Sequence, residues 1–72
     1  MDAMVDSIDE IVGRSIRHAR RMLREGHYDW PTTRRALTII LADLEARSPN
    51  HPGVARLRAF LATNDRAWSR EN

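Results

Sequence analysis

Two short segments rich in helix-breaking residues divide this 72-residue chain into three parts. They are GHYDWP at positions 26–31 and SPNHPG at positions 48–53, and such clusters typically end helices and form turns. Within each part, apolar residues recur three or four positions apart, which is the period of an amphipathic helix, and no part alternates as a strand would. The sequence therefore predicts an all-α fold, a small three-helix bundle.

The first predicted helix is long and runs from about Met4 to Glu25. Its apolar residues fall within an arc of about 140°, taking 100° per residue, so this side should face the core. They are Met4, Val5, Ile8, Ile11, Val12, Ile16, Ala19, Met22 and Leu23. Ser7 and Glu10 have the spacing of a capping box, although Asp2 or Asp6 could begin the helix earlier, and Gly26 is suited to end it.

The second predicted helix runs from about Pro31 to Arg47 and carries apolar residues on two sides. The main stripe consists of Leu37, Ile40, Leu41 and Leu44. On the nearly opposite side, a second and narrower apolar strip consists of Ile39, Ala42 and Ala46. Such a helix either packs between the other two helices or exposes its second apolar strip for contact with a partner.

The third predicted helix runs from about residue 52 to 63, with a stripe of Val54, Leu57, Phe60 and Leu61. It could extend to about residue 70, since Trp68 continues the stripe, or end near Asn64. We expect residues 1–72 to form one domain in which helices 2 and 3 make a hairpin and helices 1 and 2 are antiparallel. Leu41 and Leu57 are expected at the centre of the core.

The small size of the chain favours self-association. A chain of this length buries only about 60% of the surface that its unfolded form exposes, so its stability alone should be marginal. A second copy could cover the narrow apolar strip of the second helix. The sequence therefore predicts a homodimer.

Several chemical classes lack the residues they need. The chain has no cysteine, which excludes disulfides and thiolate chemistry. His18, His27 and His51 lack the spacing of a zinc site, and no serine, histidine and acid stand at a suggestive spacing. We therefore predict no enzyme, no cofactor and no metal. An acidic start and the absence of an apolar run of about 20 residues favour a cytoplasmic protein without a membrane span.

All twelve basic residues are arginine, against ten acidic residues, for a net charge of +2. The pI of about 10.4 is high because few groups titrate above neutral pH, so the modest net charge is the better guide to binding.

The distribution of charge is more informative than its sum. In the first helix the acids lie early and the arginines lie late, as the helix dipole favours, and Glu10 could pair with Arg14. Four arginines, Arg14, Arg17, Arg21 and Arg24, lie within about 80° of one another, opposite the apolar arc. They form either an ordinary solvated face or a binding surface.

We predict a non-catalytic protein–protein interaction module, that is, an adaptor, regulator or inhibitor with a protein partner that could be acidic. The predicted partner-binding residues are Arg14, Arg17, Arg21, Arg24, Ile39, Ala42 and Ala46. The alternative is a small nucleic-acid-binding regulator that uses Arg14, Arg17, Arg21, Arg24, Arg34 and Arg35, with Tyr28 and Trp30 stacking on bases. Those two aromatic residues could instead cap a small core. Acids at Glu10, Glu25 and Asp29 interrupt the basic face, which favours a protein partner.

One spacing resembles that of a single tetratricopeptide repeat, namely Tyr28, Leu37, Leu41, Leu44 and Pro49. Gly26 and Pro31 fall inside what would be its first helix, Glu25 stands where a glycine is expected, and no second repeat follows. We therefore assign the chain to no family.

Overall fold

A computed structural model describes residues 3–71, with side chains from residue 7 onward. It contains α1 (Ala3–Arg24), α2 (Trp30–Arg47) and α3 (Pro52–Glu71), and the described residues include no strand. The predicted all-α, three-helix bundle is confirmed. Met4 and Val5, which were assigned to the apolar arc of the first helix, lie outside the described side chains.

The helix bounds follow the breaker segments closely, and the third helix takes its longer form. α3 continues through Asn64 to Glu71. The Asn64 side chain does not end the helix because its Nδ2 donates a hydrogen bond to the carbonyl oxygen of Phe60, 2.8 Å away and one turn earlier. An asparagine side chain satisfied in this way is compatible with a helix interior.

The turn between α1 and α2 is defined at both ends. Gly26 has φ of 76°, a left-handed conformation that glycine adopts at little cost. The amide of His27 donates to the carbonyl of Met22 at 3.0 Å and that of Gly26 to Leu23 at 3.2 Å, which is a Schellman motif. Asp29 then caps α2 by accepting a hydrogen bond from the amide of Thr32 at 3.0 Å.

α3 begins with a histidine cap. The Nδ1 atom of His51 accepts a hydrogen bond from the amide of Gly53 at 2.9 Å. The carbonyl of His51 accepts from the amide of Val54 at 3.0 Å. This imidazole therefore takes the part that a Ser, Thr, Asp or Asn side chain usually plays at a helix start.

The helices run up, down and up. Ile8 and Asp9 of α1 lie beside Gly53 at the start of α3, and the guanidinium of Arg20, later in α1, lies over the Phe60 ring. α1 and α3 are therefore parallel. α2 runs opposite to α3, because its first residue contacts Asp65 while Glu45, near its end, pairs with Arg58.

All three helices contribute to one core. Its buried apolar residues are Val12, Ile16, Ala19, Trp30, Leu37, Leu44, Val54, Leu57 and Leu61. Leu57 is fully buried as predicted, but Leu41 is only half-buried. Leu37 and Leu44 are seven residues apart and so share the innermost line of α2, which places Leu41 on its flank.

Candidate protein-binding surface

The arginines of α1 form one continuous exposed surface. A shallow concavity on the outer side of the helix is lined by Arg14, Arg17, His18, Arg20, Arg21 and Arg24. We call these six residues the arginine surface. Among the described residues no carboxylate lines it, so the structure brings the four predicted arginines together with Arg20 and His18.

The guanidinium groups of this surface have no carboxylate partner among residues 7–71. The predicted ion pair between Glu10 and Arg14 does not form. Elsewhere the chain does pair its arginines: Arg34 lies 3.0 Å from Asp65, Arg47 lies 3.0 Å from Asp43, and Arg58 contacts Glu45. The arginine surface is therefore a concentration of uncompensated positive charge.

A groove of about 550 Å³ separates α1 from α2 beside this surface. Its lining is mainly apolar and consists of Arg14, Ser15, His18, Ala19, Met22, Tyr28, Thr32, Thr33, Ala36, Leu37 and Ile40. Ala19 and Leu37 are buried at its base, Met22 and Ile40 are half-buried, and Ala36 is exposed. We call this cleft the α1–α2 groove.

Small side chains explain why the two helices leave this space open. The facing positions of α1 are Ser15 and Ala19, and those of α2 are Thr32, Thr33 and Ala36. Residues of this size cannot fill the volume between two helices as leucine or phenylalanine would. Apolar periodicity did not predict the groove, although the small residues on the facing sides of both helices were a visible signal of it.

Arg14 and His18 line both features. They form the shared edge between the apolar groove and the basic surface. A ligand lying in the groove would therefore contact unpaired positive charge along its α1 side.

The structure corrects the expectation that Trp30 could stack on a base. Trp30 is buried, and its ring packs edge-on against Phe60 with centroids 6.3 Å apart. Its Nε1 donates a hydrogen bond to Oδ1 of Asp65 at 2.7 Å. Trp30 is thus a core-capping residue. Tyr28 is 52% exposed, but it lines the α1–α2 groove and not the arginine surface.

Arg34 and Arg35 do not extend the arginine surface, since neither lines the concavity on α1. Arg34 is already bound to Asp65. The hydrogen bond from Trp30, aided by the Arg34 guanidinium, holds the pKa of Asp65 below its ordinary value against the opposing effect of desolvation. Hydrogen bonds from Thr32 likewise lower the pKa of Asp29.

The second apolar strip of α2 faces solvent. Ile39 is 67% exposed, and Ala42 and Ala46 are exposed as well. Only one of the three side chains is large, so the strip is narrow. It lies apart from the α1–α2 groove, which none of its residues lines.

Residues 7–71 contain no group of three or more histidine, cysteine, aspartate or glutamate side chains placed to hold a metal ion. None of the described helices combines the length and apolarity that crossing a bilayer requires. Comparison with known protein families, curated proteins and solved structures finds no match to this chain.

Proposed function

We propose that this protein is a small interaction module that binds an acidic amphipathic helix of a partner protein in the α1–α2 groove. The observation that carries the proposal is the juxtaposition of an apolar groove with arginines that form no ion pair with any carboxylate of residues 7–71. A groove between two helices is a common site for a third helix, whose apolar side is buried while its polar side stays in water.

The apolar contacts would supply most of the affinity. Met22, Ile40 and Tyr28 present partly exposed apolar surface in the groove. A partner leucine that becomes fully buried there gains about 1.5–3 kcal/mol, before the cost of association. Leucines three and four residues apart on the partner would follow the groove along its length.

The arginines would select the charge of the partner. A helix in the groove runs beside Arg14 and His18, with Arg21 on the same exposed surface. Glutamates on its α1 side would pair with Arg14 and Arg21, which form no ion pair within the part of the chain whose side chains are described. Exposed pairs are individually weak, so their main effect is on specificity and on the rate of association.

Two synthetic peptides of equal length test this proposal directly. Both carry leucine at positions i, i+3, i+4 and i+7, and one has glutamate where the other has lysine on the flanks. We expect the acidic peptide to bind more tightly than the lysine peptide, with NMR shift changes at Met22, Ala36 and Ile40. Equal binding of both peptides, or shift changes confined to Ile39, Ala42 and Ala46, would contradict the proposal.

Variants separate the apolar and charged contributions. Ala36→Lys places a charged side chain in the groove without lowering the positive charge of the protein. It should reduce the affinity for the acidic peptide tenfold or more, which corresponds to about 1.4 kcal/mol. Ala42→Lys makes the same change on the exposed back of α2 and should have no effect. Arg14→Glu with Arg21→Glu should remove the preference for the acidic over the lysine peptide, while the matched pair Arg66→Glu and Arg70→Glu should preserve it.

Nucleic acid is the second candidate ligand, and the continuity of the arginine surface supports it. Six basic or imidazole side chains line this concavity without a carboxylate. If a phosphate backbone binds there, a generic DNA or RNA oligonucleotide should bind with an affinity that falls steeply as salt rises. Ala36→Lys would then not weaken binding, which distinguishes this candidate from the helix-binding groove.

A further inference from the structure

We propose a second site, which binds a phosphate-type oxyanion between α1 and α3 and is formed by Arg17, Arg20 and Arg56, the first two of which also line the arginine surface. It lies on the other flank of α1 from the α1–α2 groove and shares no lining residue with it. Its ligand is an anion with oxygens pointing in several directions, such as inorganic phosphate, sulfate or a phosphate monoester. This inference does not depend on the proposed helix partner.

Two guanidinium groups from different helices meet over Gly13. A Cβ atom placed on this glycine would lie 3.4 Å from Nη1 of Arg17 and 3.6 Å from Nη2 of Arg56. These two nitrogen atoms are therefore no more than about 7 Å apart. Both arginines are exposed, and like charges at this distance repel unless an anion lies between them.

The third guanidinium is held in place by an aromatic ring. The Cζ atom of Arg20 lies 5.6 Å from the centroid of Phe60, within the range of a cation–π contact. Arg20 and Arg56 line opposite sides of a groove of about 570 Å³ between α1 and α3, together with Ile16, Ala59, Phe60, Thr63 and Asn64. This groove has no acidic lining residue among those described.

No carboxylate of residues 7–71 neutralises these arginines. Asp9 lies beside Gly53 at the start of α3, yet it forms no ion pair with Arg56. Arg58, two residues further along α3, is paired with Glu45. Among residues 7–71, an arginine on one side of α3 is therefore paired with a carboxylate, and Arg56, on the side that faces α1, is not.

Phosphate fits this arrangement better than a carboxylate does. Guanidinium groups bind phosphate through paired N–H donors, and a tetrahedral anion can accept from several such groups at once. A carboxylate offers only two oxygens, both in one plane, and a single arginine can bind both of them in a bidentate pair. The hydroxyl of Thr63 is a further donor in the same groove.

Gly13 is the position at which the site can be tested without removing a charge. It lies inside α1 and is buried, where alanine would be the better helix former. Gly13→Ala should keep helicity and melting temperature at or above those of the parent. Its methyl group would lie in van der Waals contact with the guanidinium groups of Arg17 and Arg56 and reduce the space for an anion beside them, so phosphate affinity should fall.

The experiment is a titration of the isotope-labelled chain by NMR at constant ionic strength. Inorganic phosphate should produce saturating shifts at the Gly13 amide and at the side-chain Nε–Hε signals of Arg17, Arg20 and Arg56. Acetate should be clearly weaker. Phosphoserine is the esterified probe: tighter binding than inorganic phosphate assigns the site to a phosphate ester, and tighter binding of inorganic phosphate assigns it to the free ion.

The double variant Arg20→Gln with Arg56→Gln should reduce the affinity for phosphate at least tenfold. Its circular dichroism spectrum should stay unchanged, because both side chains are exposed. Arg66→Gln with Arg70→Gln is the matched control, since neither residue lines this groove or the arginine surface, and it should leave phosphate binding intact. The inference is overturned if the shifts do not saturate, if acetate binds as well as phosphate, or if the Arg20/Arg56 variant binds like the parent.

Discussion

At the scale of single residues, Leu44 and Leu57 are the most sensitive positions of the core. They are 1% and 0% exposed, respectively. Replacing either with alanine should destabilise the fold by about 2–5 kcal/mol, a large fraction of the stability available to a small domain. Leu41→Ala should cost clearly less, because Leu41 is only half-buried.

Urea unfolding followed by circular dichroism measures these three changes. A free energy of unfolding that falls as much for Leu41→Ala as for Leu44→Ala would contradict the assignment of the innermost line of α2. The sequence could not rank Leu37, Leu41 and Leu44, because all three fit one helical stripe. Their order depends on how the other two helices lie against α2.

For Tyr28 and Trp30, too, the local sequence pattern could not determine the role of each residue. Both stand in the breaker segment between α1 and α2, and sequence alone offered either base stacking or core capping for the pair. In the structure only Trp30 caps the core, because it contacts Asp65, which lies 35 residues further along the chain. A contact so distant in sequence leaves no local signal near Trp30.

At the scale of helices, Asp65 ties the start of α2 to the second half of α3. It accepts hydrogen bonds from Trp30 and Arg34, and its pKa is lowered in the folded chain. A carboxyl group whose folded pKa is below its unfolded value stabilises the fold above the unfolded value of about 3.9. That stabilisation is lost as the pH falls through the folded pKa.

We therefore expect the thermal stability of the parent to decline below about pH 4, and Asp65→Asn to show a shallower decline. The contribution is modest, since the Asp65 side chain is 40% exposed and solvent screens it. Melting curves from pH 2 to pH 7 measure the effect. Asp43→Asn, which removes an exposed ion pair, serves as the control, and an equal change in both variants would contradict a special role for Asp65.

Helix bounds were the most predictable part of the molecule. Gly26, Asp29 and Pro31 carry local turn chemistry, so the limits of α1 and α2 were readable from sequence to within one residue. The α1–α2 groove and the close approach of Arg17 and Arg56 could not be predicted from the sequence. Both depend on the distance and rotation between helices, which the periodicity of one helix does not determine.

At the scale of the whole molecule, the homodimer expected from the sequence stays a prediction, and Ile39 is the residue on which it depends. Ile39 is 67% exposed, and a second copy packed against this face of α2 would cover it. Light scattering at micromolar concentration should give about twice the chain mass of 8.3 kDa. Ile39→Glu should return the single-chain mass, and Arg66→Glu, an exposed position on α3, should not. A parent that runs at 8.3 kDa would refute the dimer and leave Ile39 as an isolated surface residue.

The up, down and up course of the helices also has a mechanical consequence. Because α1 and α3 are parallel, residues 3 and 71 lie at opposite ends of a body 44 Å long. A force that pulls these two points apart slides α1 along α3, so that the contacts between the two helices are loaded together and not one after another. Thermal unfolding can begin by fraying at a helix end, whereas stretching in this direction must overcome the packing of Val12, Ile16 and Leu57 in a single event.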